Sequence, residues 1–186
     1  IAPLLPELQN ALGLAKWEAG VLVAAYALGV VLFSIPAALL TSHFGPRRGV
    51  IISLLMLAVS SLGFGVFDNI WLLDLSRLIQ GAAAAMCWTA GLAWLVAATP
   101  SERRGEFIGI AIGVGLVGAL LGPVIGGAAA TFGRDATFGA CAALMVALAA
   151  ATLVLQQPPR RVCVFHPQNP LPRPRQPPPA PWQALA

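Results

Sequence analysis

The chain has 186 residues, 58% of them hydrophobic and 10% charged, with mean hydropathy +0.81 and a formal net charge of +4. Water-soluble domains carry about 25% charged residues, so that class is excluded. The basic residues are scattered between apolar segments rather than gathered in one stripe, which excludes a nucleic-acid face. The unit of folding is therefore the membrane-spanning helix.

Residues 1–17 read as a truncated helix exit (about 1–8) followed by a loop, because Pro3 and Pro6 oppose a continuous helix. The chain opens at Ile1 inside apolar sequence and shows no signal-peptide pattern, so a fragment of a longer protein is expected. The first complete span covers about 19–40 and places Tyr26, Gly29, Phe33 and Pro36 on one face. Pro36 is expected to bend it. A loop over 41–49, TSHFGPRRG, carries Arg47 and Arg48. Spans follow at about 50–67 and 70–98, separated by Asp68 and Asn69. The loop TPSERRGE (99–106) holds Arg103 and Arg104, with Glu102 and Glu106 available to pair with them. A glycine-rich span at about 107–130, a short turn TFGRD and a last span at about 136–155 complete the series.

Arginines alternate along this series. The loops at 41–49 and 99–106 and the start of the tail hold two each, while the turns between them hold Lys16, nothing and Arg134. The positive-inside rule then places those two loops and the tail in the cytoplasm. Residues 157–186 are proline-dense and read as a disordered, polyproline-like tail; PLPRPRQPPP has the form of an SH3-type ligand, a linker or a non-native terminus. Cys87 and Cys141 lie in apolar segments and Cys163 in the tail, with no CxxC and no ligand spacing to His43 or His166. Neither a metal nor a cofactor is expected.

The segment at 74–91, DLSRLIQGAAAAMCWTAG, carries the chemistry. At about 100° per residue, Asp74, Arg77, Gln80, Gly81, Ala84, Trp88 and Gly91 share one face. A charge at membrane depth is costly unless paired or wet, so this face looks into a bundle or a cavity. Arg77 is a fixed cation suited to stabilising a carboxylate or holding a water or an anion. Asp74, one turn earlier, is the partner available on the same helix. The alternative is that both sit at the membrane boundary, with Arg77 snorkelling to water. Tyr26 and Trp88 are candidates for substrate contact or for helix packing, while Trp17 and Trp71 suit an interfacial belt. In the span at 107–130, Gly115, Gly118, Gly122 and Gly126 form a row that lets another helix approach closely, and Pro123 is expected to kink it.

These residues carry a family resemblance. Gly109, Gly118, Gly122–Pro123 and Gly126 stand as G-x8-G-x3-G-P-x2-G, which resembles the fifth-helix antiporter motif of the major facilitator superfamily. Arg77, Gln80, Gly81, Ala84 and Ala85 resemble its fourth-helix motif, R-x-x-Q-G-x-x-A-A. The loop at 41–49 is similar to a weakened form of the signature G-x-L-A-D-R-x-G-R-R. Gly45 and Arg47 match it and Arg48 adds a charge, while Ala38, Ser42, His43 and Pro46 depart from it. Without the aspartate, Ser42 can only hydrogen-bond.

The resemblance covers residues 1–156 and implies an all-α polytopic membrane bundle, the N-terminal six-helix half of a transporter with helix one truncated. It implies proton-coupled efflux of small organic or drug-like compounds by alternating access in the cell membrane. The partners implied are the lipid bilayer, a small-molecule substrate, protons, and a missing C-terminal half or second copy. Arg77, Gln80, Gly81 and Asp74 would line the coupling cavity. Gly109, Gly118, Gly122, Pro123 and Gly126 would pack against the other half, and Ser42, Gly45, Arg47 and Arg48 would form the cytoplasmic gate. The alternative is a truncated remnant acting as a membrane interaction protein. An enzyme is not expected: no HExxH, GxSxG, paired intramembrane carboxylates or phosphate loop is present.

Overall fold

A computed structural model describes residues 15–154. Five long helices follow one another: α1 (Lys16–Phe44), α2 (Pro46–Val66), α3 (Ile70–Ala98), α4 (Arg104–Phe132) and α5 (Arg134–Val154). A 3-10 turn, Ser101–Arg103, precedes α4. All five are long and apolar enough to cross a membrane. At about 1.5 Å per residue, the 21-residue α2 and α5 match the roughly 30 Å hydrocarbon core. The truncated helix expected at 1–8 and the proline-rich tail at 157–186 lie outside the described residues.

The helices begin and end further out than the apolar spans, because two expected loops are each one residue long. Gly45 alone separates α1 from α2, and Gly133 alone separates α4 from α5. Their backbones stand at φ 85°, ψ 153° and φ 94°, ψ 146°, a region open essentially to glycine. Gly45 belongs to both helices at once. Its N–H donates to Thr41 O at 2.9 Å, closing α1, and its carbonyl accepts from Gly49 N at 3.1 Å, opening α2. Pro46 then starts α2 with its φ already helical. At the other corner, Gly133 O accepts from both Thr137 N (3.3 Å) and Thr137 Oγ1 (3.0 Å). Both prolines inside helices, Pro36 in α1 and Pro123 in α4, leave the helical run unbroken.

The two corners expose an internal repeat. Each joins a 29-residue helix through one glycine to a 21-residue helix. The two short helices, α2 and α5, pack against each other, and each carries an arginine in its first turn. Arg47 donates from Nε to Thr152 O at 3.0 Å and from Nη2 to Leu153 O. Arg134 donates from Nε to Gly65 O at 3.1 Å and from Nη2 to Asp68 Oδ1 at 2.5 Å. Each helix thus caps the last described carbonyls of its neighbour, groups at the negative end of the helix dipole that have no intrahelical donor among the described residues. A reciprocal cap requires α2 and α5 to be antiparallel and in register at both ends.

α3 is the central element, packed on α1 along one side and on α2 along the other. Its crossing with α1 is backbone to backbone. A Cβ built on Gly81 would stand 2.1 Å from Tyr26 O, and one on Gly29 would stand 2.2 Å from Leu78 O. Two core clusters fill the bundle at different depths. Leu22, Phe64, Leu73, Ala129 and Phe138 form one, with the rings of Phe64 and Phe138 edge to face at 5.0 Å. Val50, Leu54, Ala90 and Ala149 form the other, with Cys87, Trp94 and Met145 against them. Large apolar side chains cover the outside of every helix, among them Val31, Val59, Trp71, Leu120 and Val154. In water such a surface would aggregate; against acyl chains it needs no cover.

Candidate functional site

Arg77 is the buried charged side chain among the described residues. It stands on α3 facing α2 and is only 6% exposed. It does not snorkel. Its guanidinium lies 4.1 Å above the ring of Phe64, close enough for a desolvated cation–π contact. Nη1 donates to Gln80 Oε1 at 2.6 Å, and Gln80 Nε2 donates to Ser61 Oγ at 3.3 Å. The α2–α3 interface therefore holds a polar file, Arg77–Gln80–Ser61, closed on one side by an aromatic ring. Helical spacing puts Arg77 and Gln80 one turn apart, and the antiparallel run of α2 sets Phe64 and Ser61 opposite them. Arg77 Nε and Nη2 are buried and have no hydrogen-bond partner.

Asp74 is half-buried one turn earlier, and its Oδ1 is also buried and unpartnered. The two do not form an ion pair. Among the described residues the ion pairs join Arg103 to Glu106 and Arg134 to Asp68. Gly81 shares the Arg77 face by sequence, but its place is the crossing with α1. The backbone of Tyr26 stands at the same crossing, while its side chain is 39% exposed.

Trp88 opens on a different space. With Ala84, Cys87, Gly91 and Leu95 it forms one stripe of α3, which lines a cavity of about 440 Å³ with Leu57 of α2 and Ala111 of α4. The walls are apolar, and the size falls in the range of small-molecule pockets. The indole is 49% exposed and stands against Gly115, where an added Cβ would come within 2.9 Å of it. Gly115 thus gives the ring its place.

The motif glycines of α4 are otherwise open. A Cβ at Gly109, Gly118 or Gly122 would meet nothing within 4 Å; Pro123 is exposed and Gly126 is buried. Gly109, Gly118 and Gly122 are thus unpartnered among the described residues, whereas Gly115 packs on Trp88 and Gly126 is buried. At the Gly45 corner, Ser42 Oγ donates to Leu39 O of its own helix at 2.8 Å, Arg47 caps α5, and Arg48 is exposed. Arg103 and Glu106 form a two-bond exposed pair, 2.9 Å in each arm.

Several of these groups escape a reading of the sequence. Ser61 and Phe64 look like ordinary residues of an apolar span, and only the register of α2 against α3 brings them to Arg77. Gly29 and Gly81 signal a close crossing by residue type, but periodicity gives a face and not the neighbour across it. Arg134 counts as a lone basic residue until α2 and α5 are known to be neighbours. Gly45 and Gly133 look like ordinary loop glycines in the sequence, and only the structure shows them as matching one-residue corners before helices of equal length.

The sequence profile of the Major Facilitator Superfamily matches residues 1–185. The chain belongs to this family. Its relatives include the MFS-type transporter ppzB of Metarhizium rileyi, 34% identical over 126 residues, which is 68% of this chain and 26% of that protein. The Quinolone resistance protein NorA of Staphylococcus aureus is 30% identical over 161 residues, 87% of this chain and 42% of that protein. The Multidrug resistance protein 2 of Bacillus subtilis is 28% identical over 158 residues, 84% and 40% of the two chains. The chain thus spans less than half the length of these relatives. Membership makes it a multi-pass membrane protein, and the paired helix–glycine–helix units agree with the inverted three-helix repeats nested in each half of this fold.

Proposed function

We propose that this chain is one half of a proton-coupled secondary transporter that exports small amphipathic organic compounds by alternating access. The observation that carries this reading is Arg77: a buried cation in a spanning helix, bonded to Gln80 and placed over Phe64, with donors still unused. Ionisable groups held at membrane depth are expensive and serve substrate, ion or proton paths. The relatives named for multidrug and quinolone resistance support the substrate class. The apolar cavity beside Trp88 supports it too, since an exposed indole suits a flat apolar ring.

In this reading Asp74, Arg77, Gln80 and Gly81 belong to the coupling region, and Tyr26 and Trp88 to substrate contact. The open glycine row of α4 faces a second six-helix half, supplied by further sequence or by a second copy. The Gly45 corner and the 101–106 turn lie on the cytoplasmic side of the cell membrane, with Ser42, Arg47 and Arg48 at the gate. The test is Arg77→Ala in the complete protein that carries this chain, reconstituted in vesicles with an imposed proton gradient. Gradient-driven transport should vanish while the protein still inserts. Full transport by the variant refutes the assignment.

A further inference from the structure

Arg77 carries its charge at membrane depth, and no carboxylate among the described residues pairs with it. The ion pairs there lie elsewhere, at Arg103–Glu106 and Arg134–Asp68. Two neutral groups hold the guanidinium instead, the Gln80 amide oxygen at 2.6 Å and the ring of Phe64 at 4.1 Å. Each turns negative potential toward the cation, one from a carbonyl dipole and one from the face of a π-system. Phe64 is itself fixed from behind. Its ring is fully buried and meets Phe138 of α5 edge to face, with centroids 5.0 Å apart at 63°. The next residue of α2, Gly65, is held by the same stretch of α5. Its carbonyl accepts from Arg134 Nε at 3.1 Å, and a Cβ on it would stand 3.2 Å from Phe138 Cβ. The cluster around the ring takes one residue from each helix: Leu22, Phe64, Leu73, Ala129 and Phe138. Arg77 therefore rests on the ring through which all five helices meet.

We propose that Phe64 is a positioning residue for Arg77, its ring face setting where the guanidinium lies in the α2–α3 interface and turning Nη1 toward Gln80. Leucine would fill the same core, but it has no negative face to offer a cation. The contact is close, and Arg77 is almost wholly buried, so little water is present to screen the attraction. A guanidinium is planar and stacks on aromatic faces, so the ring fixes its tilt as well as its place. Phe64 is seated by α5, and Arg77 is seated on Phe64. A shift of α5 against α2 therefore moves the cation too, although Arg77 stands on neither helix. Helix rearrangements of that kind belong to alternating access. A part for Phe64 in coupling rests on the transport reading above; its contact with Arg77 does not.

The test replaces Phe64 with a trifluorinated phenylalanine in the complete protein that carries this chain. The fluorines keep the shape of the ring while drawing negative charge off its face. Thermal unfolding is read in four proteins: the parent, the fluorinated ring, Arg77→Met, and both changes together. The fluorinated ring should lower Tm by about 2 °C or more where Arg77 is present, and by markedly less where Arg77→Met has removed the cation. Equal losses in the two backgrounds overturn the proposal, since a ring that only fills the core does not sense the charge beside it. If Arg77→Met fails to insert, Arg77→Gln takes its place in the cycle. In vesicles with an imposed proton gradient, the fluorinated ring should lower maximal transport several-fold and leave KM unchanged, because the cation is displaced while substrate contacts stay. An unchanged maximal rate overturns the positioning role. Full transport by Arg77→Ala would sink the transport reading and leave the unfolding cycle to decide the contact. Loss of transport in Arg77→Ala together with equal losses in the cycle would sink Phe64 and leave the transport reading standing.

Discussion

Removing Arg134 should loosen the bundle at one end and leave the rest intact. The side chain is 20% exposed and makes two bonds, Nε to Gly65 O at 3.1 Å and Nη2 to Asp68 Oδ1 at 2.5 Å. The two are unequal. Asp68 is 78% exposed, and an ion pair so open to solvent contributes no more than about 1 kcal/mol. The bond to Gly65 is charge-assisted and serves a helix-terminal carbonyl, and bonds to charged groups contribute roughly 1.5–3 kcal/mol. Arg134→Ala should therefore cost about 2–3 kcal/mol, a Tm loss of roughly 4–12 °C at about 2–4 °C per kcal/mol for a chain of this size. The assay is thermal unfolding in detergent, run beside Asp68→Ala and Arg134→Lys. Asp68→Ala should lose no more than about 1 kcal/mol and its loss should fade with added salt. Arg134→Lys keeps the charge but not the fork, and should fall between the other two. Arg47→Ala at the opposite end should cost about as much as Arg134→Ala, and with the two ends about 30 Å apart the losses should add. A shift of less than about 0.5 kcal/mol in Arg134→Ala, or an equal loss in Asp68→Ala, would deny Arg134 its role as a cap.

Gly81→Ala should destabilise the α1–α3 crossing by about 1–3 kcal/mol or more, since the new methyl meets the Tyr26 carbonyl rather than a flexible side chain. Gly91→Ala, on the same helix with nothing within 4 Å, is the control and should be neutral or gain about 0.5–1 kcal/mol; equal losses at both sites would deny the crossing. Gly45→Ala and Gly133→Ala should each cost about 1–3 kcal/mol through backbone strain, with a tight contact to Asp135 Oδ1 at 3.1 Å added at Gly133, measured by the same unfolding assay. Gly122→Leu should leave stability unchanged, because the added side chain meets open space, yet block transport in the complete protein. Normal transport by that variant would make the glycine row packing without a role in the cycle.

What was legible in the sequence, and what was not, divides along one line. The helical spans and the all-α membrane bundle follow from runs of apolar residues, a property of each segment alone. So does the polar face through Arg77 and Gln80, because a period of about 3.6 residues puts side chains one turn apart on one side whatever surrounds them. Helix limits failed at the corners, where composition suggests nine residues of loop over 41–49 and the chain uses one. That economy depends on a conformation only glycine adopts, and a lone Gly45 among polar residues looks like any other loop glycine.

Partners across an interface are a property of two segments, and periodicity is silent on them. The α4 glycines resemble a packing seam more strongly than any others, yet Gly109, Gly118 and Gly122 are open while Gly29 and Gly81 touch backbone. Arg47 and Arg134 show why the distinction matters. Each reads as a topology signal in its own loop, which is a statement about charge and side of the membrane. Each in fact serves the carbonyls of a helix about 70 or more residues away along the chain, with Arg134 reaching back to Gly65 and Arg47 forward to Thr152. The two roles are compatible, because the charge that keeps a helix end in water is the same charge that a neighbouring helix C-terminus attracts.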